Sequence, residues 1–162
     1  MYKLVLYLLL ITFLMTMFAL QLDEEISMNV LFRAKHGLNR ATHAAVQQID
    51  EQKLSQGLMS IDSGAAKEKA YEYLQGNLQL DHNNVPLLGS FLESPVDILI
   101  FDVINDNHIF PYHYVNSMYN YNVTLERPAV VMIIRVEYPR IYKVMGPITW
   151  VIKGAAELYP II

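Results

Sequence analysis

The side chains that could do chemistry are few and scattered. Five histidines occur, His36, His43, His82, His108 and His113. His36 and His43 are seven positions apart, so on a helix they share a face but lie about two turns apart, too far to chelate one ion alone. H-E-x-x-H, which puts two metal ligands and a general base on one helical face, does not occur. There is no cysteine, which removes thiolate catalysis, disulfides and zinc–cysteine sites. The histidines are therefore expected at the surface or in hydrogen bonds, with no metal. Asp97, Asp102 and Asp106 are the acids to follow. Asp97 and Asp102 differ by an odd number of positions, so one regular strand would turn them to opposite faces and they would form no carboxylate pair. Solvation at a strand edge or a backbone hydrogen bond is expected instead. A nucleophile elbow, a phosphate-binding glycine loop and G-x-G-x-x-G are all absent, and no serine–histidine arrangement can be argued. Asn122-Val123-Thr124 matches a glycosylation sequon, a short pattern common by chance, inside an expected strand. With neither a nucleophile–base nor a metal constellation, the chain is expected not to be an enzyme and to need no cofactor.

What organises the chain is Leu4 to Leu22, LVLYLLLITFLMTMFALQL, without charge, proline or glycine. At about 1.5 Å per residue this makes a helix of roughly 28 Å, close to the ~30 Å hydrocarbon thickness of a bilayer. Leu4, Leu8, Ile11, Leu14 and Phe18 are its anchor residues. Lys3 and the terminal amine form a short positive region shared by anchors and signal peptides, but the apolar run is longer than the usual signal core. No A-x-A site follows: cleavage after Ala19 would put the bulky Met17 three residues before the cut. A retained anchor is expected. A strict Lys/Arg count favours keeping the C-terminal side in the cytoplasm, because Arg33, Lys35 and Arg40 follow the span. The residues touching the span point the other way, with Lys3 before it and Asp23, Glu24 and Glu25 after it. The expected topology is N-terminus in, domain out.

The chain has 162 residues, and the part beyond the span suits one extracytoplasmic domain. The net charge is −4 with no basic run, which argues against nucleic acid as a partner. Eleven tyrosines occur, seven of them at or after Tyr112, pointing to a β-rich C-terminal half.

The expected fold is α+β. The first helix should continue outward to about Gln52. Along it Ala34, Gly37, Ala41, Ala44 and Ala45 form a small-residue stripe on one face, flanked by Leu31, Leu38 and Ile49. Such a stripe lets another backbone approach closely. The other backbone can belong to this chain's own domain, or to a second copy or partner helix. A second helix runs from about Ala65 to Leu78, with Asp62 or Ser63 as N-cap and an Ala66/Ala70/Leu74/Leu78 seam. Asp81 to Pro95 reads as a loop, its Leu87, Leu88, Phe91 and Leu92 lying on the core.

Strands follow. Val96–Ile104 reads as a central strand, and a half-buried strand has Tyr119, Tyr121, Val123 and Leu125 on one face. Ala129–Tyr138 is expected antiparallel to the latter. Ile148–Leu158 follows a Gly146-Pro147 turn, with Ile148, Trp150 and Ile152 on one face. Trp150 among Ile141, Tyr142, Val144 and Met145 reads as a core strand or as a surface dipping into a membrane interface. Residues 1–22 are the anchor, 23–80 a helical segment packing on the sheet, and 81–162 an antiparallel sheet of three to four strands.

The anchor, the stretch RAKHGLNRATHAAVQQID (Arg33 to Asp50) and the ending AVVMIIRVEYPRIYKVMGPITWVIKGAAELYP (Ala129 to Pro160) together resemble type IV pilins and pseudopilins, most of all the TadE-like proteins of tight-adherence pilus systems. The resemblance implies a pilin-like fold and partners among other pilin-like or assembly-machinery membrane proteins, possibly copies of itself, with the small-residue stripe as the helix-packing interface. The chain departs from the family pattern in two places: no glycine precedes the span, and no Glu occurs before Glu24. A minor component or assembly factor of a surface filament or envelope complex is therefore expected rather than the repeating subunit. The other expectation is an anchored sensor or ligand-binding module, using the Asp81–Pro95 loop and the Tyr112–Tyr121 region.

Overall fold

A computed structural model describes residues 2–141 and 146–159. Helix α1 (Tyr2–Val46) is 45 residues long and unbroken, about 67 Å at 1.5 Å per residue. It crosses Asp23-Glu24-Glu25 without interruption because no proline or glycine occurs before Gly37. Among the described residues it is the single helix long and apolar enough to span a membrane, and a folded domain follows it. That domain contains α2 (Glu51–Ser55), α3 (Ser63–Leu78) and five strands, β1 (Asp97–Ile104), β2 (Tyr112–Asn116), β3 (Tyr121–Leu125), β4 (Ala129–Tyr138) and β5 (Ile148–Glu157). The architecture is α+β, with a small antiparallel sheet region split into a three-stranded sheet and a hairpin.

Helix α1 stops six residues short of the expected Gln52. The cause is Asp50, whose carboxylate accepts the amides of Gln52 at 3.0 Å and Lys53 at 3.1 Å. Asp50 is thus the N-cap of a new helix rather than a solvated position on the old one; a short acidic side chain competes for backbone amides that a continuing helix would use. The chain between α1 and α2 bridges instead to the segment before α3, Ile49 opposite Ile61. Asn105, just beyond β1, locks that bridge. Its side chain donates to the Ile61 carbonyl and accepts the Ile61 amide, both at 2.8 Å. Asn105→Ala leaves both Ile61 backbone groups unpartnered in a buried position and is expected to destabilise the domain by about 2 kcal/mol, read as a lowered denaturation midpoint at unchanged slope.

Helix α3 begins at an Asp62 cap, whose carboxylate accepts the amides of Gly64 and Ala65 at 2.8 and 3.0 Å. The Ala66/Ala70/Leu74/Leu78 seam is fully buried, facing α1. The loop from Asp81 to Pro95 is on the core only in part: Leu92 is buried and Phe91 half-buried, but Leu87 and Leu88 point into solvent.

The sheet order is β1-β4-β5, with both pairings antiparallel. The central strand is therefore β4, whose ten residues are nearly all buried, and the Val96–Ile104 segment is an edge strand. Nor does β4 pair with β3: β3 pairs with β2, Tyr112 opposite Leu125, in a hairpin of its own. One sheet face carries Val130, Met132, Ile134, Val136 and Ile152 into the main core against α1 and α3. The hairpin covers part of the other face, where Tyr114 and Leu125 meet Ile104, Ala129 and Val131. Tyr121 and Val123 do share the inward face of β3 with Leu125, as their alternation predicts, while Tyr119 lies in the turn. Ile148 and Trp150 pack on the main core, with Trp150 stacked on Tyr138 at 6.2 Å between ring centres. Tyr142, Val144 and Met145, named with Trp150 as a membrane-dipping surface, lie outside the described residues, as do Pro160 and the rest of the C-terminus.

Candidate functional site

Leu4, Leu8, Ile11, Leu14 and Phe18 are all exposed, as is nearly every side chain between Tyr2 and Phe18. An apolar cylinder of this length facing outward on all sides has no partner among the described residues.

The small-residue stripe lies elsewhere. Ala34, Ala41 and Ala45 are fully buried, Ala44 nearly so, and Gly37 faces α3. A Cβ added at Gly37 would stand 2.6 Å from Leu78 Cδ2, and one at Gly154 of β5 would stand 3.2 Å from Leu38 Cδ2. The stripe is thus occupied by this chain's own α3 and sheet. As an interface for partner helices it is corrected: the close approach it permits is used internally, because α1 must come close to both elements to close one core.

The same buried line extends toward the N-terminus. Stepping back from Ala34 in fours and threes gives Val30, Ser27 and Asp23, all buried. Asp23 is 1% exposed, although it is the first charge after the apolar run. The Tyr138 hydroxyl donates to its Oδ1 at 3.0 Å and the Ile141 amide donates to the same oxygen at 3.1 Å. The Arg140 guanidinium lies 3.7 Å from Oδ2. Burial, then the Asp23 carboxylate, pushes the Tyr138 hydroxyl up to about 12. This junction fastens the end of β4 to α1 at the residue directly after Leu22. Sequence inspection placed Asp23 only as a flanking charge; continuing the small-residue spacing backward would have found it.

Beside the junction is a cleft of about 770 Å³. Ile26, Val30 and Phe91 give it an apolar wall, and Arg33, Glu93, Glu137 and Arg140 bring charge to it. The Arg33 guanidinium lies over the Phe91 ring at 4.0 Å.

The three aspartates do separate work. Asp102 accepts the Tyr114 hydroxyl at 2.6 Å, tying the hairpin to the sheet, and burial followed by this bond pushes that hydroxyl up to about 12. Asp106 pairs with Lys53 at 2.7 Å and accepts the Ser60 hydroxyl at 3.1 Å. Asp97 faces Arg135 at the surface, 3.4 Å away. The opposite-face expectation for Asp97 and Asp102 fails, because a bulge between Ile98 and Ile100 shifts the register. Asp97 pairs with Arg135 and Asp102 with Val131, positions four apart on β4 and so on one face. Among the described residues, no group of three or more His, Cys, Asp or Glu side chains could hold a metal ion.

The arrangement defines a class: an α+β domain carried at the end of an exposed apolar helix and locked to it by a buried carboxylate. Compared with protein-family models, with curated proteins and with solved structures, the chain matches none.

Proposed function

We propose that the chain is a single-pass membrane protein, N-terminus in the cytoplasm and domain outside, acting as a minor pilin-like or TadE-like component in the assembly of a surface filament or envelope complex. The observation that carries this reading is the division of labour along α1: its first half is apolar and exposed, while its second half packs into an antiparallel α+β domain without a break. A continuous helix transmits position from the membrane to the domain, which suits a part that must stand at a fixed height and orientation among neighbours. Because the small-residue stripe is used internally, lateral contacts to other membrane helices fall in this reading to the apolar half itself.

Two experiments test it. Leu10→Arg with Leu14→Arg puts two charges near the middle of the span, each costing about 3 kcal/mol there, and is expected to release the protein from carbonate-washed membranes. In the native host, blotting the sheared surface-filament fraction against the washed membrane pellet should find the protein in the pellet. Recovery in sheared filaments would make it a structural subunit, and loss from both would remove the filament reading.

A further inference from the structure

We propose that the pocket between α1 and α3 lined by Arg33, His36, Gly37, Arg40 and Asn77 binds a phosphoryl dianion, as free phosphate or as the end group of a phosphomonoester, with the two guanidiniums on its oxygens.

Helix geometry brings these residues together. Arg33, His36 and Arg40 follow one another at spacings of three and four, so they stand in a row on one face of α1. All three are exposed. Helix side chains lean toward the helix N-terminus, so Arg40 lies back over the turn of His36 and Gly37, toward Arg33. Asn77, near the end of α3, closes the other side. The space between them is about 370 Å³, within the range of small-ligand sites.

Charge selects the ligand. The lining holds two guanidiniums, an imidazole and an amide, and no carboxylate, in a chain whose net charge is −4. Among the described residues neither Arg33 nor Arg40 enters an ion pair; the pairs there use Lys53, Lys69, Arg135 and Arg140. Residues 142–145 are Tyr, Lys, Val and Met, so they bring no carboxylate side chain either. Both guanidiniums are nevertheless held in place, by neutral groups. Arg40 Nη1 donates to Asn77 Oδ1 at 2.8 Å, and Asn77 Nδ2 donates to the Tyr73 carbonyl at 2.7 Å, which fixes the amide. Arg33 lies over the Phe91 ring at 4.0 Å. These contacts leave most N–H donors of both forks for an acceptor. Two positive charges match a dianion, whereas a single carboxylate would leave one guanidinium without a partner. His36 offers a further ring N–H donor. A lipid headgroup is not the source. Along the α1 axis Arg33 and Arg40 stand roughly 16 and 27 Å beyond Leu22, past an interfacial layer about 5–8 Å deep. A soluble phosphate or phosphate ester fits that height.

The test is isothermal titration of the full chain in dodecyl maltoside micelles, with inorganic phosphate, glycerol phosphate and acetate as probes. At about pH 8 both phosphoryl probes are mostly dianions. At least one of them should bind with a Kd of about 1 mM or below, about tenfold tighter than acetate. Tighter glycerol phosphate identifies an ester as the ligand and tighter inorganic phosphate the free ion; both results support the site. Arg33→Gln and Arg40→Gln, at exposed positions, should each weaken the phosphoryl probe about tenfold. Arg135→Gln, whose partner is Asp97 on the sheet surface, should leave binding unchanged. An unchanged Trp150 fluorescence melt shows that each variant is folded. Absence of phosphoryl binding by the folded parent overturns the proposal, as does acetate binding equally well. Binding unchanged in both α1 variants, or lost to the same extent in Arg135→Gln, overturns it too.

Discussion

Asp23→Ala is expected to lower the melting midpoint of the domain by about 10 °C, corresponding to about 3 kcal/mol. The substitution removes a buried carboxylate that holds three groups: the Tyr138 hydroxyl, the Ile141 amide and the Arg140 guanidinium. Removing one partner of a buried polar cluster leaves the others desolvated, which costs more than the cluster's net contribution when intact. Asp23→Asn keeps an acceptor oxygen for the tyrosine and the amide but loses the charge facing Arg140, so it should lose roughly half as much. Trp150 is the sole tryptophan and stacks on Tyr138, so its fluorescence reports directly on this junction. A melt of Asp23→Ala within 2 °C of the parent would show that the cluster does not hold the domain to α1.

The same cluster has an alkaline signature. Tyr138 and Tyr114 each have their hydroxyl pushed up to about 12 from an ordinary 10.0, first by burial and then by a carboxylate neighbour. The folded state thus holds these protons more tightly than the unfolded chain. The resulting stabilisation is fully present below about pH 10 and is lost as the pH rises toward 12. The melting midpoint should fall across that window, and Tyr114→Phe, which cannot ionise, should make the fall shallower.

Gly37→Leu should be as damaging, by about 3 kcal/mol, for a different reason. Even a single Cβ at this position would come within 2.6 Å of Leu78 Cδ2, and Leu78 is itself fully buried with nowhere to go. A leucine must force α1 and α3 apart, and overpacking of this kind costs on the order of 1–3 kcal/mol, more when two elements separate. Gly76 makes the contrast. It is in α3 with nothing within 4 Å of an added Cβ, so Gly76→Ala should stabilise the domain by about 0.5–1 kcal/mol through helix propensity. Denaturant titration of both variants reads the two signs. A neutral Gly37→Leu would mean that α1 and α3 are not closely packed.

Much of this molecule was legible because its signals are local. The apolar run to Leu22 needed only a count of residues, and the Ala66-to-Leu78 seam only the helical period. Of Tyr119, Tyr121, Val123 and Leu125, placed on one face by alternation, the last three are there and Tyr119 is in the turn, and of the two cap candidates, Asp62 and Ser63, the structure uses Asp62. Those features follow from bond geometry and burial within a few residues. The strand partners did not follow. Alternation says which face a strand hides but not which strand lies beside it, so β4 was assigned to β3 when it belongs between β1 and β5. The bulge near Leu99 reversed a parity argument that holds only for regular strands. Asp50 ended a helix that composition would have continued, because its carboxylate found other amides. Ala34 to Ala45 showed that some backbone must come close, and only the packing decided that the backbone is this chain's own. The Asp23 junction depends on Tyr138 and Arg140, more than a hundred residues away in the chain, and proximity over that distance is made by the assembled core.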